Sequence, residues 1–267
     1  MDARDAATAH PATQPCRLDG TLTLTGRLLT ASNATFVGTV ETPDGPVEIV
    51  HKPIRGEREL WDFPTGTLAL REVAAYRVSA AGGFDVVPYT VLVEGPFGPG
   101  SAQRWVEADE EIDDLVDVVA PGDLADGWFP VLEGESAEGD AVVVAHADDP
   151  RLRTIAVFDA LVNNADRKAG HVLRSSADRS GPLLACDHGV SFHVDDKLRT
   201  LLWGWAGQPL TTAEQAMVAA ALADLDPVAE LLAEEEVLAL QERGARLLAE
   251  GLPRPPERGP AVPWPLW

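Results

Sequence analysis

Alternating apolar and polar positions dominate the first hundred residues. Three segments alternate in the way that half-buried strands do: TLTLTGRL, SNATFVGTVET and VEIVHKP. Residues 68–82 instead repeat apolar positions at helical spacing, and the two glycines that follow Ala81 supply a stop. Strand character returns in VVPYTVLVEG and SAQRWVE. The pattern therefore predicts a sheet of about five strands with one inserted helix over residues 16–106.

Helical periods replace alternation in the second half of the chain. The acidic run EADEEIDDLVDVVA has a helical period, and a Gly/Asp-rich loop follows it to about residue 147. A further helix is predicted in DDPRLRTIAVFDALVNNA, where Asp149 is the expected N-cap and Pro150 lies in the first turn. A short hairpin, HVLRS with LLACDHG, then precedes two amphipathic helices. We expect a mainly α-helical second half.

These patterns divide the chain into four segments. Residues 1–15 are small and polar and are predicted to be a flexible tail, and residues 252–267 are predicted to be a Pro-rich tail, both outside the core. Between them, a β-rich lobe at 16–106 joins an α-rich lobe at 107–251. The fold class expected is α+β, with a cleft between two lobes in which chemistry is to be sought.

Charge and cysteine content narrow the possible partners and location. With 21 basic and 43 acidic side chains, the formal charge of −22 disfavours nucleic acid and anionic lipid surfaces. The two cysteines, Cys16 and Cys186, are too few for a disulfide framework. Neither a signal peptide nor an apolar run of about twenty residues is present. We expect a cytoplasmic protein without integral membrane association.

Lysine is scarce, so the position of each lysine is informative. Lys52 ends the apolar strand VEIV, and Glu72 follows twenty positions later inside the predicted helix. A strand lysine held by a helix glutamate is the arrangement that positions a phosphate-binding lysine in protein kinases. The alternative is a surface lysine and a solvated helical glutamate, and these two residues alone do not decide between them.

Two aspartates complete a set of residues suited to phosphoryl transfer. That reaction requires a cation on the nucleotide phosphates, a carboxylate that holds Mg²⁺ and a carboxylate that orients the acceptor hydroxyl. Asp166 lies in NNADRKAGHVL, directly after a strong apolar helix, and Asp187 ends the apolar strand of LLACDHG. Asp166 is the candidate for the acceptor and Asp187 for the metal. The alternative is a capping or turn-forming role for each.

The motifs resemble those of the phosphatidylinositol 3- and 4-kinase-like family, most closely its short actinobacterial-type branch, which is distantly similar to HipA-type kinases. The resemblance spans most of residues 20–205 and depends on four motifs: Asn164-x-Asp166-Arg167, the Asp187 motif, HKP around Lys52, and QRWVE at 103–107. It implies a bilobal protein-kinase-like fold and an ATP-dependent phosphotransferase that uses Mg²⁺. The acceptor would be an unidentified hydroxyl of a small molecule or protein.

The resemblance also assigns roles to other residues. Lys52, held in place by Glu72, would bind the ATP phosphates, and Arg167 and Lys168 would stabilise the transferring charge beside Asp166. The remaining nucleotide-binding residues fall into two groups: a phosphate-covering turn that includes Ser32, Asn33 and Thr35, and a hinge that includes Gln103, Trp105 and Val106, whose backbone would bind adenine.

Two departures from the family pattern leave alternatives open. No G-x-G-x-x-G is present, and His171 stands where the family has a metal-binding asparagine. Imidazole suits transition metals better than Mg²⁺, so His171 could ligate Mn²⁺ or contact phosphate while Asp187 alone carries Mg²⁺. The chain could also be a nucleotide-binding pseudokinase or an AMP transferase. A metal-assisted hydrolase that uses His171, His188 and His193 is a further alternative, although their spacing fits no compact zinc signature.

Overall fold

A computed structural model describes residues 10–29, 33–109 and 112–267 of the chain. Its first half contains an antiparallel sheet in the order β1-β2-β3-β5-β4. The strands are β1 (Leu22–Arg27), β2 (Phe36–Val40), β3 (Val47–Pro53), β4 (Thr90–Gly95) and β5 (Gly98–Arg104). The alternation in the sequence has a direct cause here, because Val40, Ile49 and Ala102 all point into one buried cluster.

Helix α1 (Leu68–Gly82) connects β3 to β4 and packs against β4 and β5. It is buried on most of its surface, because it also packs against helices of the second half. Gly83 ends α1 in the left-handed conformation, with φ 66°, which a residue without a Cβ adopts readily. The predicted sheet of five strands with one inserted helix is present.

A second antiparallel sheet lies where the sequence pattern predicted a helix and a loop. Its strands are β6 (Val116–Val119), β7 (Trp128–Glu135) and β8 (Ala141–Ala147), in the order β6-β8-β7. The prediction of a helix in EADEEIDDLVDVVA was therefore wrong for residues 112–120. The β-branched valines of VDVV explain why this segment is a strand and not a helix. Val118 and Val119 pair with Val144 and Val143 of β8, and Val116 is buried in the main hydrophobic cluster.

The remaining elements surround one central helix. α2 (Pro150–Val162) is buried along most of its length and packs against β10, α3 and α5. As predicted, Asp149 caps α2, because its side chain accepts a hydrogen bond from the Arg151 amide. The other elements are the hairpin β9 (Val172–Arg174) with β10 (Leu183–Ala185), and the helices α3 (Thr212–Ala221), α4 (Asp226–Ala229) and α5 (Glu234–Glu250).

The C-terminal segment packs against the core, so the prediction that the Pro-rich tail at 252–267 lies outside the core was wrong. Leu252 is buried, and Val262 and Leu266 pack against the main hydrophobic cluster. The Ala261 carbonyl accepts hydrogen bonds from the Thr200 amide and the Trp203 indole. Prolines do not prevent this packing, because they fix an extended backbone whose carbonyls remain available as acceptors.

The structure is mixed α and β, with antiparallel sheets and five α-helices in the described ranges, which agrees with the α+β class expected from the sequence. The predicted N-terminal tail also has an ordered end, because the Ala12 carbonyl accepts a hydrogen bond from the Tyr89 amide. Among the helices of the described ranges, none has the length and apolar character needed to cross a membrane.

Candidate functional site

Three ionised side chains from distant parts of the chain meet at one point. Lys52, at the end of β3, forms ion pairs with Glu72 of α1 and with Asp187, which follows β10. Its ammonium lies 2.9 Å from Asp187 Oδ1. Burial lowers the pKa of Lys52, but the two carboxylates outweigh burial and raise it above its ordinary value. The predicted pairing of the strand lysine with the helix glutamate is present.

Backbone contacts fix the position of Asp187, and its carboxylate faces a cavity. Asp187 adopts a left-handed conformation, with φ 61°, which is uncommon for a residue with a Cβ. The next amide, that of His188, donates a hydrogen bond to Glu72 Oε2 over 3.1 Å. The side chain is 47% exposed, and the Lys52 ammonium keeps the pKa of Asp187 well below its usual range. Asp187 is therefore a fixed, ionised carboxylate that faces a cavity.

Asp166 and Lys168 line the same cavity as Lys52, Glu72 and Asp187, which we call the Asp166 cavity and which has a volume of about 410 Å³. The Lys168 ammonium lies 3.4 Å from Asp166 Oδ2. Burial raises the pKa of the Asp166 carboxyl, and Asp187 adds to that effect, against the opposing charge of Lys168. A raised pKa makes Asp166 a better proton acceptor than an ordinary aspartate.

Arg167 does not reach this cavity, contrary to the role predicted for it. Its side chain is fully buried and pairs with Asp159 of α2 through two hydrogen bonds of 2.7 and 3.0 Å. The same guanidinium donates to the carbonyl of Cys186 and contacts Nε2 of His188, both over 2.7 Å. Arg167 therefore joins the Asp166 loop to the segment that carries Asp187, and it positions both.

His171 faces Asp187 across the cleft. Its Nδ1 lies 3.1 Å from the Asp166 carbonyl oxygen, which can only accept, so we place the ring proton on Nδ1. Burial lowers the pKa of His171 to about 4, so the ring is neutral at pH 7. The lone pair of Nε2 then points at Asp187 Oδ2, 3.4 Å away. Two acceptors at this distance have the chemistry that suits a cation between them.

A second cavity, which we call the Val106 cavity, has a volume of about 480 Å³ and shares Asn33, Lys52 and Asp187 with the Asp166 cavity. Apolar walls come from Val50 and Leu173. Val106, directly beyond β5, is buried, and within the described part of the chain neither its N–H nor its C=O takes part in a backbone hydrogen bond. An unpaired buried peptide group beside a cavity is suited to a ligand with complementary donors and acceptors.

The other predicted nucleotide-binding residues in the described part of the chain line the Val106 cavity, although several of their side chains already form hydrogen bonds within the protein. Ser32 lies outside the described residues. Asn33 lines both cavities, although its Oδ1 accepts from the Arg58 amide. Thr35 and Gln103 are buried, with side chains that bond to the Asn33 carbonyl and to Thr90, respectively. Trp105 lines the Val106 cavity, and its indole lies 3.4 Å from Glu107.

The side chains of Asp187 and His171 are too few to hold a metal ion by themselves, but they suit a cation that is also bound by a ligand. Across residues 10–29, 33–109 and 112–267, no group of three or more His, Cys, Asp or Glu side chains is placed to hold a metal. Asp187 and His171 supply two ligands at most, as in sites where phosphates and waters complete the coordination of Mg²⁺. His188 and His193 do not join them, because His188 packs against Arg167 and His193 accepts from the Asp195 amide.

Sequence analysis missed the residue that anchors this site, Asp159. It lies in the otherwise apolar run IAVFDALV of α2 and is fully buried between Arg167 and the Asn164 amide group. A charged residue on a buried helix face requires a partner, which is the signal that was available. Val50 and Leu173 were also missed, because an apolar wall of a cavity has the same sequence pattern as a core position.

Comparison with known proteins finds a relative that matches most of the chain. The chain is 44% identical over 264 residues to Protein Rv2133c of Mycobacterium tuberculosis, and the match covers 93% of both chains. It belongs to the Rv2133c family. No family model matches the chain. The name of Rv2133c describes no activity.

Proposed function

We propose that the chain is an ATP-dependent phosphotransferase with a bilobal, protein-kinase-like arrangement of the five-stranded sheet and the helical second half. The observation that carries the proposal is the cluster of Lys52 with Glu72 and Asp187, at the base of the two connected cavities. A lysine held by a helix glutamate, opposite a carboxylate that ends a strand, is the arrangement by which kinases hold nucleotide phosphates and their metal. The resemblance to the phosphatidylinositol 3- and 4-kinase-like family supports the same proposal.

The Val106 cavity would bind the adenine. Its walls at Val50 and Leu173 are apolar and suit a flat ring, and the unpaired N–H and C=O of Val106 match the alternating acceptor and donor of an adenine edge. From there the phosphates would reach Lys52, which both cavities share. Asn33 lies at the same junction, and its side-chain amide group has free donors there within the described residues.

Asp187 and His171 would hold a divalent cation bound to the phosphates, and that cation neutralises charge that develops on them during transfer. Asp187 is already ionised and fixed for this role. His171 is neutral at pH 7, with its Nε2 lone pair directed at Asp187. Because one ligand is an imidazole, Mn²⁺ would suit the pair better than Mg²⁺.

Asp166 would orient the acceptor hydroxyl and accept its proton. Its raised pKa favours proton acceptance, and Lys168 beside it would offset the charge of the transferring group. The Asp166 cavity, with its volume of about 410 Å³, leaves room for an acceptor. The acceptor is a hydroxyl of a small molecule or of a protein.

Nucleotide binding and turnover test the proposal in separate steps. We expect ATP to bind in the presence of Mn²⁺ or Mg²⁺, and Lys52→Met to weaken binding at least tenfold, since it removes a charged contact to phosphate. Asp187→Asn should abolish ADP release while the chain stays folded. Equal ADP release by the wild type and Asp187→Asn would refute the assignment. A mass increase by one phosphate on the acceptor, not by AMP, is expected in the product.

A second candidate, a pseudokinase that binds nucleotide and acts through protein partners, is favoured by two observations. His171 replaces the metal-binding asparagine, and the turn before β2 lacks a glycine-rich motif. Calorimetric titration with ATP, in the presence of each metal and in its absence, together with an assay of ADP release, distinguishes the two functions. Metal-independent binding without ADP release is the result expected of a pseudokinase, and metal-dependent binding with ADP release is expected of a kinase.

A further inference from the structure

A third cavity, which we call the Arg243 cavity, lies apart from the site described above. It has a volume of about 570 Å³ and lies among α5, residues 251–256 and the loop at 196–207. It shares no lining residue with the Val106 cavity or the Asp166 cavity. Whatever binds there would not occupy the proposed nucleotide site.

Three arginines line the Arg243 cavity in a chain whose formal charge is −22. Two carboxylates, Asp196 and Glu250, line it as well. Asp196 is shared, because its Oδ1 lies 2.7 Å from Arg246 Nη2 and 3.7 Å from Arg243 Nε. Glu250 forms no ion pair within the described residues. The arginines therefore outnumber the carboxylates, and one of those carboxylates serves two of them.

Arg243 is the buried member, at 5% exposure. Its two terminal nitrogens donate to the carbonyls of Leu161 and His193. Its Nε has no hydrogen-bond partner in the described part of the chain, because 3.7 Å to Asp196 is too long for a hydrogen bond. Burial lowers the pKa of Arg243 to about 10, against the opposing effect of Asp196. The charge of Arg243 is thus incompletely compensated.

Arg254 completes the cationic side of the cavity. Its guanidinium lies against Gly207, where an added Cβ would come within 2.8 Å of Cζ. No ion pair or hydrogen bond holds the Arg254 side chain among the residues that the structure describes, so its donors are available. Leu198, Trp203 and Leu247 supply apolar surface to the same lining. Cationic donors and apolar side chains that line one cavity are suited to an anion with an apolar part.

We propose that the Arg243 cavity is a second ligand site, which binds a small organic anion. The anionic group would accept hydrogen bonds from Arg246 and Arg254, and the positive charge of Arg243 would attract it. The apolar part would pack against Trp203 and Leu198. This proposal does not rest on the proposed nucleotide site. The two anionic groups that fit the guanidinium fork are phosphate and carboxylate.

Calorimetric titration of the full chain with three aromatic probes tests the proposal. Phenyl phosphate and benzoate carry the two candidate anionic groups, and phenol carries neither. We expect saturable binding of at least one anion and none of phenol. Arg254→Gln and Arg246→Gln, both at exposed positions, should each weaken binding about tenfold, the loss of one charged hydrogen bond. Arg258→Gln, at an exposed position outside the cavity, is the matched control and should bind as the wild type does.

A variant of the proposed nucleotide site shows whether the anion binds there or in the Arg243 cavity. Lys52→Met should bind the anion as well as the wild type does, because Lys52 does not line this cavity. The proposal is overturned if neither anion binds, if Arg246→Gln and Arg254→Gln bind as the wild type does, or if Lys52→Met abolishes binding. Loss of ATP binding with retained anion binding would refute the proposed function alone.

Discussion

Replacing Arg167 with methionine removes the guanidinium from a fully buried cluster and leaves the Asp159 carboxylate without its cation. Both side chains have no exposed surface. The substitution also removes the donor to the Cys186 carbonyl, the residue directly before Asp187. Methionine has a similar length and fills much of the same space, so the loss is one of charge and hydrogen bonds, not of volume.

The magnitude follows from the burial of the pair. Removing one partner of a buried ion pair costs about 3–5 kcal/mol, because the other charge is left unpaired in a medium that solvates it poorly. That is a large share of the stability of a typical domain, about 5–15 kcal/mol. The double variant Arg167→Met with Asp159→Leu should recover part of the loss, because no unpaired carboxylate remains. Recovery should be incomplete, since the Asn164 amide group and the Cys186 carbonyl also lose a partner.

Urea denaturation of the two single variants and the double variant gives the free energies of unfolding for a double-mutant cycle. Arg246→Met is a matched control, because Arg246 pairs with Asp196 at an exposed position, where such pairs contribute about 0–1 kcal/mol. If Arg167→Met changes stability no more than Arg246→Met does, the structural role of Arg167 is refuted. Unchanged stability with lost turnover would instead support the catalytic role predicted from the sequence.

Three further predictions concern His171 and the C-terminal segment. Because burial lowers the pKa of His171 to about 4, the unfolded chain binds a proton between pH 6.5 and pH 4 that the folded chain does not, and stability falls as pH falls. His171→Asn should reduce that slope by about 1.4 kcal/mol per pH unit, measured by urea denaturation across the window, and an unchanged slope would contradict the assignment. The same variant should shift the metal preference of ATP binding from Mn²⁺ towards Mg²⁺ by about tenfold in calorimetry, and an unchanged Mn²⁺/Mg²⁺ ratio would exclude His171 as a ligand. Deleting residues 261–267 should lower the free energy of unfolding by about 2–5 kcal/mol, because the buried amides of Thr200 and Ala169 lose their acceptors and apolar burial of Val262 and Leu266 is lost. Arg258→Ala, in the same segment but exposed, is the control for the deletion, and a deletion variant as stable as that control would show that the segment does not contribute.

The sequence pattern around each residue, together with the order of the residues along the chain, was enough to predict the cluster of Lys52, Glu72 and Asp187. Lys52 ends a strand, Glu72 lies in the next helix, and Asp187 follows a later strand, and each of these placements depends on a hydrophobic period that the sequence displays. What brings them together is the packing of α1 between the sheet and the helices of the second half. The order of the three residues along the chain matched a known arrangement, and the structure then showed the contacts.

The sequence did not predict whether the Arg167 side chain points into the cavity or into the protein interior. Arg167 lies next to Asp166, and its position beside a candidate catalytic residue suggested a charge directed into the cleft. The backbone turns instead so that Arg167 meets Asp159 inside the protein. The strands at 116–147 were missed for a related reason, since the period of a short acidic run does not distinguish a helix from a strand, whereas its valines favour a strand.

The contacts on either side of Asp187 hold its backbone in place without using its carboxylate. Arg167 holds the preceding carbonyl, and Glu72 holds the following amide, so the backbone is fixed by two buried charges. The carboxylate itself pairs with Lys52, which is also bound to Glu72. On the proposed function, phosphates and a cation would replace the Lys52–Asp187 pair. Glu72 would keep Lys52 in place during that exchange, so binding would need no rearrangement of the strand or helix that carries these residues.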